Sequence, residues 1–169
     1  PPFVATLAML TIARGLTMLY TKGHPISNLG TDFAFIGAGI VFGIPVPVWI
    51  AAVVVLIAVF ITQKTKLGRY IYAIGGNEQA AKLSGINIKK VKLTVYAMAG
   101  ALAALGGVIV TARLDSAQPN AGISYELDAI AAVVIGGTSL SGGKGSVWGT
   151  VMGAIIIGVL NNGLVLLNV

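Results

Sequence analysis

VWIAAVVVLIAVFITQKTKLGRYIYAIGGNEQAAKLSGINIKKVK, residues 48–92, decides the fold. From Val48 to Thr62 there is no charge, and Trp49 stands near the start, where aromatic rings mark a membrane interface. The remainder is basic: Lys64, Lys66, Arg69, Lys82, Lys89, Lys90 and Lys92 are set against one acid, Glu78. An uncharged apolar run ending in a cluster of cations reads as a membrane span that leads into a cytoplasmic loop, because the excess of Lys and Arg is held on that side. The span is placed at Val48 to Thr62, starting near Pro47, and the loop at residues 63–92.

The composition of the 169 residues supports this reading. Hydrophobic residues make up 56% and charged residues 9%, with a mean hydropathy of +0.92. An ordinary soluble domain is about 25% charged, which excludes most of them, and disorder, which requires low hydrophobicity with high charge, is excluded too. The net charge of +6 lies entirely in residues 64–92. Elsewhere Arg14, Lys22, Arg113 and Lys144 are balanced by Asp32, Asp115, Glu126 and Asp128. The basic character therefore marks one side of a membrane, and no nucleic-acid partner is implied. There is no cysteine and one histidine, His24, which removes disulfides, thiolate sites and a His-rich metal cluster; no metal site is expected. The 23 glycines suit helices whose backbones pack closely in lipid.

The chain opens Pro1-Pro2 without Met and closes on an apolar run, Leu164 to Val169, so it reads as a fragment, and it shows no secretory signal peptide. Phe3 to Tyr20 forms a first span, interrupted by Arg14 and a few threonines. Lys22 to Asp32 is polar and turn-rich. Phe33 to Pro47 is apolar but holds Gly37, Gly39, Gly43, Pro45 and Pro47, which favours a short interfacial element over a crossing. Leu93 to Ala112, rich in small residues, is the third span, and Arg113 to Tyr125 is polar. Leu127 to Leu140 is short for a crossing and reads as re-entrant, or as a span that starts deep in the protein. Ser141 to Ser146 is a Gly-rich turn, and Val147 to Leu167 is the last span. The expected fold is an all-α polytopic transmembrane bundle of about four to five membrane segments, with residues 1–169 as one partial membrane domain. With the basic loop inside, Lys22, His24 and residues 113–125 lie outside.

Each local motif has a structural and a functional reading. Gly145, Gly149 and Gly153, spaced by four, suggest one flat helix face for packing, although so many glycines also produce such runs by chance. GTSLSGGKG, residues 137–145, approaches a phosphate-binding loop but places five residues between Gly137 and Gly143 and has Gly145 where Ser or Thr is needed. It is read as a tight turn. Arg14 within a span is a functional or paired charge, or else a structural ion pair or a side chain that snorkels to the interface from a tilted helix. Asn161 and Asn162 interrupt the last span and favour bonding between helices over lining a polar path. Glu126 and Asp128 suit a helix N-terminus, with an external mouth for a hydroxyl-rich solute as the alternative. Together Arg14, Glu126, Asp128, Asn161 and Asn162 are the candidate translocation path. Asn77 caps a short helix from Glu78 to Leu83 (Glu78, Gln79, Ala80, Ala81, Lys82, Leu83), which Ser84-Gly85 ends. That helix between positive flanks is either a docking element for a cytoplasmic partner or a solvated loop that only sets topology.

GRYIYAIGGNEQAAKLSGI at 68–86 resembles the coupling-loop signature of monosaccharide ABC importer permeases. PPFVATLAMLTIARGLTMLYT at 1–21, ARLDSAQPNAGISYELDAIAAVVIGGTSLSGGKGS at 112–146 and GTVMGAIIIGVLNNGLVLLNV at 149–169 fit the same family, its ribose-transporting branch most closely. The resemblance covers essentially the whole chain. Gln79-Ala80-Ala81-x-x-x-Gly85 also matches the E-A-A-x-x-x-G loop of such permeases, with Gln79 in place of Glu. It implies that Asn77 to Gly85 docks on a cytoplasmic ATP-binding subunit and passes its closure to the membrane helices. It further implies alternating access driven by that ATPase, delivery of a monosaccharide by a periplasmic sugar-binding protein, and a second permease copy forming a homodimer. The expected location is the bacterial inner membrane. The subunit would be non-catalytic and hold no cofactor, ATP and Mg residing in the partner, and this would be roughly its C-terminal half. The weighed alternatives are an ion-coupled secondary transporter, disfavoured because no acid lies centrally in a clear span, and an intramembrane enzyme, disfavoured because His24 is alone in a loop.

Overall fold

The computed structural model describes residues 2–167; Pro1 and residues 168–169, at the ends of the two terminal sequence blocks quoted above, lie outside them. Helix α1 is Pro2–Thr21, α2 Thr31–Ala38, α3 Val46–Lys64, α4 Lys66–Gly76, α5 Glu78–Leu83, α6 Ile88–Leu114, α7 Tyr125–Ile135 and α8 Val147–Leu166. Four two-residue strands accompany them: β1 Ile26–Ser27, β2 Ile40–Val41, β3 Ile44–Pro45 and β4 Ser116–Ala117. Helices α1, α3, α6 and α8 are long and apolar enough to cross a membrane. At 1.5 Å per residue, α3 is about 28 Å long, against a hydrocarbon core of about 30 Å. The protein is all-α and polytopic.

The threonines of α1 do not weaken its apolar character. Thr11, Thr17 and Thr21 each donate a hydroxyl to the carbonyl four residues back, at 2.8 to 2.9 Å, so none needs water. Helix α3 starts at Val46, at the Pro47 boundary read from the sequence. Helix α6 differs from expectation. It starts at Ile88, inside the segment read as a loop, and reaches about 40 Å over 27 residues. Asn87 accepts the Lys90 amide at 3.1 Å and caps it. Hydropathy marks where lipid begins, not where a backbone ladder begins, so polar first turns escaped the reading. Residues 63–92 are thus the end of α3, α4, α5 and the start of α6.

The chain forms two compact units. One comprises Pro1–Trp49 and Ala103–Ile123. Here β1 pairs antiparallel with β4, Ile26 opposite Ala117 and Ser27 opposite Ser116. Asp115 adds two bonds, its carbonyl accepting from Asn28 N and its carboxylate from Leu29 N at 3.3 Å. Between α2 and α3, β2 and β3 form a hairpin with Phe42-Gly43 at the tip, and Trp49 Nε1 donates to Val41 O at 3.3 Å. The apolar segment Phe33 to Pro47 is therefore a short helix, a hairpin and the first residues of α3.

The other unit comprises Ile50–Leu102 and Ser124–Val169. Its main packing is the antiparallel pair α7–α8. A Cβ on Gly153 would overlap the Ala132 carbonyl, and one on Gly149 the Gly136 carbonyl, so both glycines are needed for the close approach. Gly145 does not share this face. Helix α8 begins only at Val147, capped by Ser146, whose hydroxyl accepts from Gly149 N at 3.3 Å, and Gly145 lies before it against Thr138. The segment Leu127 to Leu140 contains an eleven-residue helix, about 16 Å long, followed by the turn.

Candidate functional site

Helix α4 turns away from α3 at Thr65. That hydroxyl donates to Ile61 O at 2.6 Å and accepts from Gly68 N at 3.3 Å, closing one helix and opening the next. Asn77 then serves two helices. Its N–H donates to Ala73 O at the end of α4, and its side-chain oxygen accepts from Ala80 N at 3.0 Å at the start of α5. A cap of this kind contributes about 1 kcal/mol. With one residue shared, no linker lies between α4 and α5. Ser84 closes α5, and Gly85 follows with φ +81, its N–H donating to Lys82 O.

Helix α5 is anchored on one side and open on the other. Ala81 is 4% exposed, its carbonyl accepting from Ile86 N, and Glu78 pairs with Lys92 of α6 at 2.7 Å. Gln79, Ala80, Lys82 and Ser84 are exposed, and Leu83 is 89% exposed. Leu83 is thus an apolar side chain held in the open on a helix whose neighbouring exposed residue, Lys82, is a cation.

The last turn of α4 also lies on the turn joining α7 to α8. A Cβ on Gly75 would meet Gly143 N, and one on Gly142 would meet Gly75 O. Tyr72 OH donates to Gly145 O at 3.0 Å. The segment GTSLSGGKG is thus a turn, and also a backbone surface against which α4 rests.

Of the five path candidates, the structure brings two together. Asn161 of α8 donates to Asp128 of α7 at 3.4 Å. Glu126 shares the first turn of α7 with Asp128, while the side chains of Glu126 and Asn162 make no hydrogen bond among the described residues. Arg14 lies in α1, in the other unit, half-buried and with no ion pair among the described residues.

The family model described as "Branched-chain amino acid transport system / permease component" matches residues 1–169. The chain belongs to this permease family. Ribose import permease protein RbsC of Haemophilus influenzae is 60% identical over 99% of this chain and 53% of its own length. The protein of the same name in Bacillus subtilis is 57% identical over 99% of the chain and 53% of its own. D-allose transport system permease protein AlsC of Escherichia coli is 45% identical over 99% and 52%. The permease chain therefore spans about half the length of the curated relatives it matches. No solved structure matches it. With its four apolar helices, this permease is a multi-pass protein of the bacterial inner membrane.

Sequence reasoning had no hold on the contact between α4 and the 137–146 turn. Its only signal was two glycine pairs, Gly75-Gly76 and Gly142-Gly143, and nothing in a one-dimensional pattern joins them.

Proposed function

We propose that this chain is part of the transmembrane subunit of an ATP-binding-cassette importer that carries a monosaccharide, ribose, inward by alternating access. The observation that carries the reading is α5, a short capped helix with its base buried at Ala81 and its apolar tip, Leu83, held in the open. Its support is the family membership and the names of the relatives at 56–60% identity, which are ribose import permeases. In this reading residues 63–92 are cytoplasmic, and Asn77 to Gly85 seats α5 in a groove of an ATP-binding subunit. That subunit holds ATP and Mg and performs the hydrolysis, while this chain binds no cofactor and catalyses nothing. A periplasmic sugar-binding protein delivers the substrate, and a second copy of the permease completes the pathway. Asp128 and Asn161 stand where two helices meet and offer a carboxylate and an amide to sugar hydroxyls. Arg14, Glu126 and Asn162 are assigned to the path or its walls.

The test is ribose uptake by the full permease reconstituted with its ATP-binding subunit and binding protein in vesicles. Uptake that requires ATP and persists with an uncoupler present supports the reading. Uptake abolished by the uncoupler while ATP is maintained overturns it in favour of ion coupling.

A further inference from the structure

We propose that Tyr72 and Gly75 form the strut that carries movement of α5 to the α7–α8 hairpin, and that they are positioning residues for transport. This rests on the reading of α5 as the element that docks on the ATPase. Helix α5 has two neighbours in sequence through which it can act. On one side Asn77 joins it to α4 without a linker, so α4 moves with it. On the other, α6 holds it through the exposed pair Glu78–Lys92, a weak tether. The stiffer route is through α4.

The end of α4 meets the 137–146 turn backbone to backbone. Gly75 lies against Gly142 and Gly143, with no side chain between them to absorb a displacement, and the Tyr72 hydroxyl is fixed on Gly145 O. The turn runs directly into both helices of the hairpin. Gly136 ends α7 and Ser146 caps α8, and the two helices are in contact at Gly136–Gly149 and Ala132–Gly153. A push on the turn therefore moves the hairpin as one body, with Asp128 and Asn161 at its far end. Close-packed interiors resist such sliding, but here there is room. A recess of about 330 Å³ opens beside the contact, among Thr62 of α3, Tyr72, Thr138, Lys144 and Thr150. Small sliding of packed helices is a recognised way to pass movement between sites.

The adjacent glycines supply the test. A Cβ at Gly75 meets Gly143, whereas one at Gly76 meets nothing within 4 Å. In the full permease, assembled with its partners in vesicles, ATP hydrolysis and ribose uptake are measured together. Gly75→Ala is expected to lower ribose carried per ATP hydrolysed at least fivefold, with hydrolysis held within twofold. Gly76→Ala is expected to leave the ratio unchanged, and Tyr72→Phe, which removes only the hydroxyl, to lower it two- to threefold. Equal ratios for Gly75→Ala and Gly76→Ala, or uptake and hydrolysis falling in proportion, overturn the proposal. Should Gly75→Ala not assemble, an unchanged ratio in Tyr72→Phe overturns it alone. If instead the wild-type complex hydrolyses ATP without carrying ribose, the proposed function is what fails, and the strut falls with it.

Discussion

Gly85 is the residue on which the geometry of α5 turns. Its φ is +81 and its N–H closes the helix on Lys82 O. Proline there would fix φ near −65° and remove that donor. It would also push Ser84, now at φ −76 and ψ 7, toward an extended conformation. Three faults at one joint misdirect α5 relative to α6, while the spans keep their sequence and hence their insertion. Gly85→Pro should therefore lower ribose uptake at least tenfold in the full permease, with its amount in the membrane unchanged by immunoblot. Unchanged uptake would remove α5 from the coupling path. The neighbouring pair gives the contrast. Glu78 and Lys92 are 53% and 49% exposed in their side chains, so their 2.7 Å contact is screened by water and contributes little. Glu78→Gln should change uptake less than twofold, and a larger loss would show that the carboxylate itself meets the partner.

At the scale of elements, the α7–α8 hairpin depends on bare backbone. Overpacking costs about 1–3 kcal/mol where side chains can yield, and at Gly153 the obstacle is the Ala132 carbonyl, which cannot rotate away. Gly153→Val should lower the thermal midpoint of the detergent-solubilised permease by several degrees. Gly158→Val, on the same helix but with nothing within 4 Å of its Cβ, should shift it little. Equal shifts would mean that valine within α8 is at fault and not the crossing. These elements also show what a sequence discloses. The extents of α1, α3 and α8 were legible because a bilayer dictates the length and polarity of a span, and α5 because Asn77 is its start signal and Gly85 its stop signal. Gly145 was misplaced because a spacing of four describes a face only once the helix start is known; Ser146, as a cap, was the available clue. The Asp128–Asn161 bond and the rest of α4 on the 137–146 turn join residues 33 and 73 positions apart, and local pattern carries no information across such distances.

For the whole molecule, the apolar surface and the charge pose one question. Among the described residues the buried hydrophobic ones are Ala81, Val91, Ala112 and Ala132, all small or medium, while the apolar side chains of the four long helices remain largely exposed. Such a surface is stable only against lipid or further protein, so the membrane defines the orientation of the chain. The lysines bear on the orientation proposed above. Lys89, Lys90 and Lys92 occupy the first turns of α6, the positive end of its dipole, where cations are unfavourable. Helix stability would place them elsewhere, whereas the cytoplasmic side proposed for residues 63–92 accounts for them. The 169 residues contain no cysteine, so a single introduced thiol reports its own position within this part of the permease. In a full permease with any other cysteines replaced, His24→Cys, in the turn after α1, should react with a membrane-impermeant maleimide in cells whose outer membrane is permeable to it. Lys89→Cys should react only after the inner membrane is opened. The opposite pattern would place α5 outside, beyond reach of any ATPase, and would end the coupling reading together with the strut that depends on it.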